Sequence, residues 1–183
     1  MTRTVSLLTV LTLAGSAAEH RLLENERIRI GLDMESGGAV FHFSEKPDGP
    51  NLLNHHDRGR FIQQSFYGRP DGSMWVDKPW CWNPVQGGDY KGKPARVIES
   101  REQPDLLYVK SIPRNWAGGE ELGECVMEQW VSLKGPVATI RHRFSYRGEV
   151  KHPPRHQELP AVFVDAKLAD LVFKSQSLTK PLS

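Results

Sequence analysis

Apolar and polar residues alternate with a period of two through most of this chain. Ile28, Ile30, Leu32 and Met34 fall on one side and Arg27, Arg29, Gly31 and Asp33 on the other, the pattern of a half-buried strand. Ser36-Gly37-Gly38 supplies a turn, and residues 39–44 read as the returning strand of an N-terminal hairpin. Lys46-Pro47-Asp48-Gly49-Pro50 then opens a loop. Strand patterning resumes over 96–100, 106–112, 124–133 and 137–146, with Lys134-Gly135-Pro136 turning between the last two. Residues 160–164 give one more strand, residues 167–174 a single amphipathic helix, and 175–183 a loose tail. Sequential strands with short connections predict an all-β fold, an antiparallel β-sandwich or barrel.

Residues 51–95 break the alternation. They are rich in Gly, Pro, Trp and Asn, with short strands predicted only over 61–67 and 73–76. An irregular stretch of that length inside a compact domain is uncommon unless it carries function. The frequent Gly (16) and Pro (13) residues of the whole chain also favour short strands and turns over long helices.

The start of the chain reads differently again. Arg3 gives a positive end, residues 5–13 an apolar run, and Ala14-Gly15-Ser16-Ala17-Ala18 a small-residue cleavage site, so residues 1–18 are expected to be a signal peptide. The run is shorter than the ~20 apolar residues that span a bilayer, and no later segment reaches that length. The expected arrangement is a leader over 1–18, a β-sandwich domain over 19–174 and a tail over 175–183, in a secreted or periplasmic protein. In such a compartment Cys81 and Cys125 could pair; the alternative is two buried apolar side chains. A net charge of +2 gives no basic field for nucleic acid.

The irregular stretch holds the densest chemistry. Asp57-Arg58-Gly59-Arg60-Phe61-Ile62-Gln63-Gln64-Ser65-Phe66-Tyr67 and Trp80-Cys81-Trp82-Asn83-Pro84-Val85-Gln86-Gly87-Gly88-Asp89-Tyr90 interleave guanidinium groups, planar amides and aromatic rings. Rings cover the apolar face of a sugar, while amides and guanidinium groups satisfy its hydroxyls and any carboxylate. Arg58 and Arg60 share a face if extended. So do Gln63, Ser65 and Tyr67, with Gln64 opposite, and so do Trp80 and Trp82. Asn83, Gln86 and Asp89 would add hydrogen bonds. The expected carbohydrate-binding residues are therefore Arg58, Arg60, Gln63, Tyr67, Trp82, Asn83, Gln86 and Asp89.

Proton-transfer candidates lie further along. His142 shares the apolar side of its strand with Ala138, Ile140, Phe144 and Tyr146, as a core histidine or a groove histidine would. His156-Gln157-Glu158 places imidazole, amide and carboxylate together before a strand, making His156 and Glu158 the other two candidates. His55-His56-Asp57 is a poor metal set, because adjacent histidines diverge on a strand; no metal and no cofactor are expected. Neither a catalytic-triad order nor a phosphate or dinucleotide loop is present.

The order of these features resembles the galactose-mutarotase-like group of β-supersandwich domains. The resemblance rests on Leu23-Glu24-Asn25-Glu26-Arg27-Ile28-Arg29-Ile30, then Ser36-Gly37-Gly38-Ala39-Val40, and on the two central runs, which look like those of secreted bacterial members. It covers roughly residues 22–173 and implies two packed antiparallel sheets with a concave, sugar-binding face. Aldose epimerases of this fold use a histidine acid and a glutamate base, the glutamate near the domain's C-terminal end. No residue of this chain matches that glutamate, and such domains are usually longer, so an N-terminal portion of one is expected. Missing strands would leave sheet edges open to self-association and an uncovered apolar strip beside residues 137–146. Three readings follow: a carbohydrate-binding domain of a sugar- or polysaccharide-processing protein, an active sugar epimerase or polysaccharide lyase, and a non-enzymatic structural domain.

Overall fold

A computed structural model of the chain describes residues 20–45, 49–54, 60–168, 170–172 and 177–178. The expected leader and the His55-His56-Asp57-Arg58 segment lie outside them. Strands dominate: β1 (His20–Glu24), β2 (Ile28–Asp33), β3 (Ala39–Glu45), β4 (Gln63–Ser65), β5 (Pro70–Trp75), β6 (Lys78–Cys81), β7 (Pro84–Val85) and β8 (Arg96–Gln103) come first. They are followed by β9 (Leu106–Ile112), β10 (Arg114–Asn115), β11 (Cys125–Lys134), β12 (Val137–Tyr146), β13 (Glu158–Ala161), β14 (Leu171–Val172) and β15 (Ser177–Leu178). All pairings are antiparallel, and the architecture is an all-β sandwich.

One layer is the meander β1-β2-β3, the other the four-stranded sheet β12-β11-β9-β8. Between them Leu23, Ile30, Leu32, Val40, Leu107, Val109 and Val131 form a buried cluster, flanked by Ala138 and Ile140 of β12. Each such side chain contributes about 1.5–3 kcal/mol by leaving water. The hairpin from β2 to β3 closes on Asp33, whose carboxylate accepts the Glu35 N–H at 2.9 Å and the Ser36 hydroxyl at 2.8 Å. Gly37 and Gly38 follow at φ +59° and +76°, and a Cβ on Gly37 would lie 1.9 Å from the Gln86 carbonyl oxygen. Glycine is required there by both backbone and space.

The third sheet, β10-β7-β4-β13, carries the irregular region. Val40 and Ile62 form a bridge that joins it to β3, and Leu53 bridges Val164. Its strands are short because buried amides replace ladder bonds. Gln86 is 1% exposed; its Oε1 accepts the Gln64 N–H at 3.1 Å, and its amide donates to the Gly37 carbonyl at 3.3 Å and to Gln129 Oε1 at 3.4 Å. Gln129 in turn donates to the Gly38 carbonyl at 2.9 Å, and Gln64 to the Glu128 carbonyl at 3.0 Å. Three glutamines thus satisfy the backbone that the turn and the short strands leave unpaired.

Two expectations are corrected here. The helix over 167–174 is replaced, among the described residues, by a turn and the small β14–β15 pair. Its Leu-Val-Phe run suits a strand as well as one helical turn. The expected strand over 160–164 begins and ends earlier, at Glu158 and Ala161. β12 lies at the edge of its sheet with its apolar side partly buried: Ala138 and Ile140 pack on the core, and both His142 ring nitrogens are shielded from solvent. Cys81 and Cys125 are both buried free thiols. No helix among the described residues is long and apolar enough to cross a membrane.

Candidate functional site

Where β4, β6 and β7 meet β13, a cavity of about 210 Å³ opens. Its walls include Trp75, Trp80 and Trp116, together with Tyr67, Gln63, Asn83, Glu158 and Arg60. The rings meet edge to face in sequence: Tyr67 to Trp80 at 6.2 Å, Trp80 to Trp75 at 4.8 Å, and Trp75 to Trp116 at 6.4 Å between centroids. Tyr90 extends the row, 6.3 Å from Trp116. Edge-to-face contact fixes each ring while leaving ring surface to line the cavity.

A chain of hydrogen bonds sets the polar wall. The Trp80 indole N–H donates to Asn83 Oδ1 at 3.1 Å, and the Asn83 amide donates to the Ser65 hydroxyl at 3.1 Å and the Phe66 carbonyl at 2.7 Å. Ser65 and Glu158 both lie beside the Tyr67 hydroxyl. Burial, then the nearby Glu158 carboxylate, push the Tyr67 phenol up to about 12. Tyr67 therefore stays protonated next to the Glu158 carboxylate. Strand pairing places the two residues together, for Glu158 sits opposite Ser65 in the β13–β4 register.

The structure brings Arg60, Gln63, Tyr67, Asn83 and Glu158 to this one cavity. Asp89 lines the adjoining hollow of about 500 Å³, which shares Arg60, Trp75 and Trp116 with it. There the Asp89 carboxylate also shapes its own turn, accepting the Lys91 and Lys93 N–H groups at 2.9 Å. His156 lies beyond the cavity wall, in a hollow with Tyr67, Trp80 and Arg155. Trp82 faces a different hollow from most of the cavity, stacked on His152 at 4.0 Å. Gln86 is interior and lines no hollow described here. His142 pairs across the sheet with the fully buried Gln129, and burial lowers it to about 4 with neither nitrogen hydrogen-bonded. At neutral pH the ring is therefore neutral imidazole, not the imidazolium that a histidine acid requires.

Trp75 and Trp116 escaped the sequence reading, and Gln157 was read as part of the His156-Gln157-Glu158 constellation without a role of its own. The Asn115-Trp116-Ala117-Gly118-Gly119 loop has the same mixture of amide, indole and glycine as the central runs, and that composition was the available signal. Among the described residues, no three His, Cys, Asp or Glu side chains gather as a metal site would require.

No family model matches the chain, and no curated protein matches it. Among solved structures it is similar to the crystal structure of 4-alpha-glucanotransferase from Thermococcus litoralis, at 18% identity and a TM-score of 0.45. The likeness covers 72% of this chain and 23% of that one, so this chain spans less than a quarter of that protein's length.

Proposed function

We propose that this chain is a carbohydrate-binding domain of galactose-mutarotase-like type, belonging to a secreted or periplasmic protein that processes sugars or polysaccharides. The observation that carries the reading is the cavity in which three indoles and a phenol stand against Gln63, Asn83 and Glu158. Indole faces take the C–H surface of a pyranose and the Glu158 carboxylate fixes its hydroxyls, while the buried Gln63 and Asn83 amides hold the wall behind them through Gly87, Ser65 and Phe66. Arg60, on the same wall, suits a ring hydroxyl or a uronate. The leader-like residues 1–18 support the export part of the reading.

A second reading, catalysis on the bound sugar by an epimerase or polysaccharide lyase, is favoured by one observation. Glu158 lines the cavity beside the Tyr67 hydroxyl, which makes it the proton-transfer candidate in place of His142. Glycan-array binding of the purified chain tests the first reading. Wild-type binding should fall at least tenfold in Trp116→Ala while folding is retained. A folded wild type that binds no glycan removes the carbohydrate reading and leaves a structural domain whose tryptophans only pack. Epimerase or lyase turnover that disappears in Glu158→Gln, with binding preserved, would establish the second.

A further inference from the structure

Tyr67 lines three hollows: the tryptophan cavity, the one containing His156 (about 670 Å³), and a third of about 710 Å³ on its far side. The third is walled by Phe66, Trp82, Phe144, Tyr146 and His152. The hollow around Asp89 shares Trp75 and Trp116 with the cavity, so neighbouring depressions are separated only by common wall residues. We infer that the sugar site extends past Tyr67 onto the Trp82–Tyr146–His152 cluster, and that its ligand is an oligosaccharide segment spanning both aromatic clusters rather than a single sugar. This rests on the carbohydrate reading of the cavity.

The far cluster is built with the features of a ligand wall. Trp82 lies edge-on to Tyr146 at 5.3 Å and stacks on His152 at 4.0 Å, while Phe66 stacks on Phe144 at 4.0 Å. Gly68 makes the approach of the first three possible, because a Cβ there would stand 2.3 Å from His152 Nδ1 and 2.7 Å from the Trp82 ring. The Arg69 N–H donates to His152 Nδ1 at 3.3 Å, which puts the proton of the neutral ring on Nε2. Nε2 has no partner and is shielded from solvent. A donor left unpaired in the interior costs stability. Burial, then the nearby Arg69 charge, lower the pKa of this histidine. Glu149, Lys151 and Gln157 add polar groups to the same wall, and Pro153-Pro154 stiffens it. Tyr67 is the shared partition, held from both sides.

Arrays of immobilised plant and algal polysaccharides, followed by calorimetry with oligosaccharides of one to eight units from whichever binds, test the inference on the full chain. Affinity should rise at least tenfold between the shortest and the five- or six-unit ligands, then level off. In Trp82→Ala that ratio should fall toward one. Should the variant fail to fold, indole resonances of the wild type decide: long ligands should shift Trp82, and short ligands only Trp75, Trp80 and Trp116. Equal affinity for short and long ligands, or an unmoved Trp82 resonance at saturation with the longest, overturns the inference while leaving the single-sugar site standing. Failure of every glycan to bind overturns both.

Discussion

Gln157 grips the backbone of Tyr67 from both directions: its Oε1 accepts the Tyr67 N–H at 2.5 Å and its amide donates to the Tyr67 carbonyl at 3.0 Å. The pair spans ninety positions of sequence and ties the loop before β13 to the end of β4. Tyr67 thereby stands at a fixed place between the cavity and its neighbouring hollows, with its hydroxyl near Glu158. An amide in the middle of His156-Gln157-Glu158 is thus a positioning residue between two groups that face hollows.

Replacing Gln157 with Ala should therefore affect binding more than folding. Two exposed hydrogen bonds are worth about 1 kcal/mol each at most in stability. Loss of the grip lets Tyr67 move, and glycan affinity should drop about tenfold. Thermal unfolding and titration on the same preparation separate the two effects. Equal affinity in Gln157→Ala and wild type would show that Tyr67 is held adequately by its own strand.

Gln86 should behave in the opposite way. Truncation to Ala leaves the Gly37 carbonyl, the Gln64 N–H and Gln129 Oε1 without this partner in the interior. Buried groups orphaned in this manner cost about 1–3 kcal/mol each. Urea unfolding of Gln86→Ala should show a loss of at least about 2 kcal/mol. The sequence reading placed Gln86 among the ligand contacts; the structure makes it a strut beneath the turn at Gly37.

That contrast shows what was legible in the chain. The strands over 106–112 and 137–146 could be read to the residue, the second because alternation marks its half-buried face, the first because a short apolar run bounded by turn residues suits a strand buried on both faces. Gln63, Ser65 and Tyr67 were legible as one face for the same reason, and all three line the cavity. Trp80 and Trp82 were not. Strand β6 ends at Cys81, so the parity rule lapses between them, and the two rings join different aromatic clusters. Polar side chains in a glycine-rich stretch look exposed, yet short strands must be satisfied from inside, which drew Gln64 and Gln86 into the interior. Trp116 and Gln157 enter the site through contacts remote in sequence, which local pattern does not carry.

The pH dependence of stability follows from His142. Its folded pKa of about 4 lies below the ordinary 6.5, so the unfolded chain binds the proton more readily between those values. Stability should be complete above pH 6.5 and fall as pH drops toward 4. After allowance for solvent screening, the loss is about 2 kcal/mol. His42 and His152 are lowered too, chiefly by burial, and add a decline of the same sign. Urea midpoints of wild type should fall relative to those of His142→Leu as pH drops through this window; parallel curves would mean that His142 titrates normally.

The two thiols should resist alkylation in the native state. Burial pushes Cys125 up to about 12 and also raises Cys81, so neither offers thiolate at neutral pH. Mass spectrometry after iodoacetamide should find both unmodified until denaturant is added, when both react. A mass two protons lighter, indicating a disulfide, would contradict the separate burial of the two side chains.

Tyr67 and Glu158 can be tested against each other by titration. Burial is the largest cause of the raised Tyr67 pKa, with the nearby Glu158 carboxylate next, while the Ser65 hydroxyl works the other way. Removing the carboxylate charge in Glu158→Gln should therefore lower the Tyr67 midpoint from about 12, without returning it fully to the ordinary value near 10. Tyr108 also titrates near about 12, owing to its own burial and its bond to Glu128. The two late tyrosines must be separated, which ring-labelled NMR in a Tyr108→Phe background achieves. Ser65→Ala should move Tyr67 the other way, by removing the hydroxyl that favours the phenolate. A Tyr67 midpoint unmoved by Glu158→Gln would mean that hydroxyl and carboxylate are not neighbours, and Glu158 would lose its claim as the proton-transfer group of the cavity.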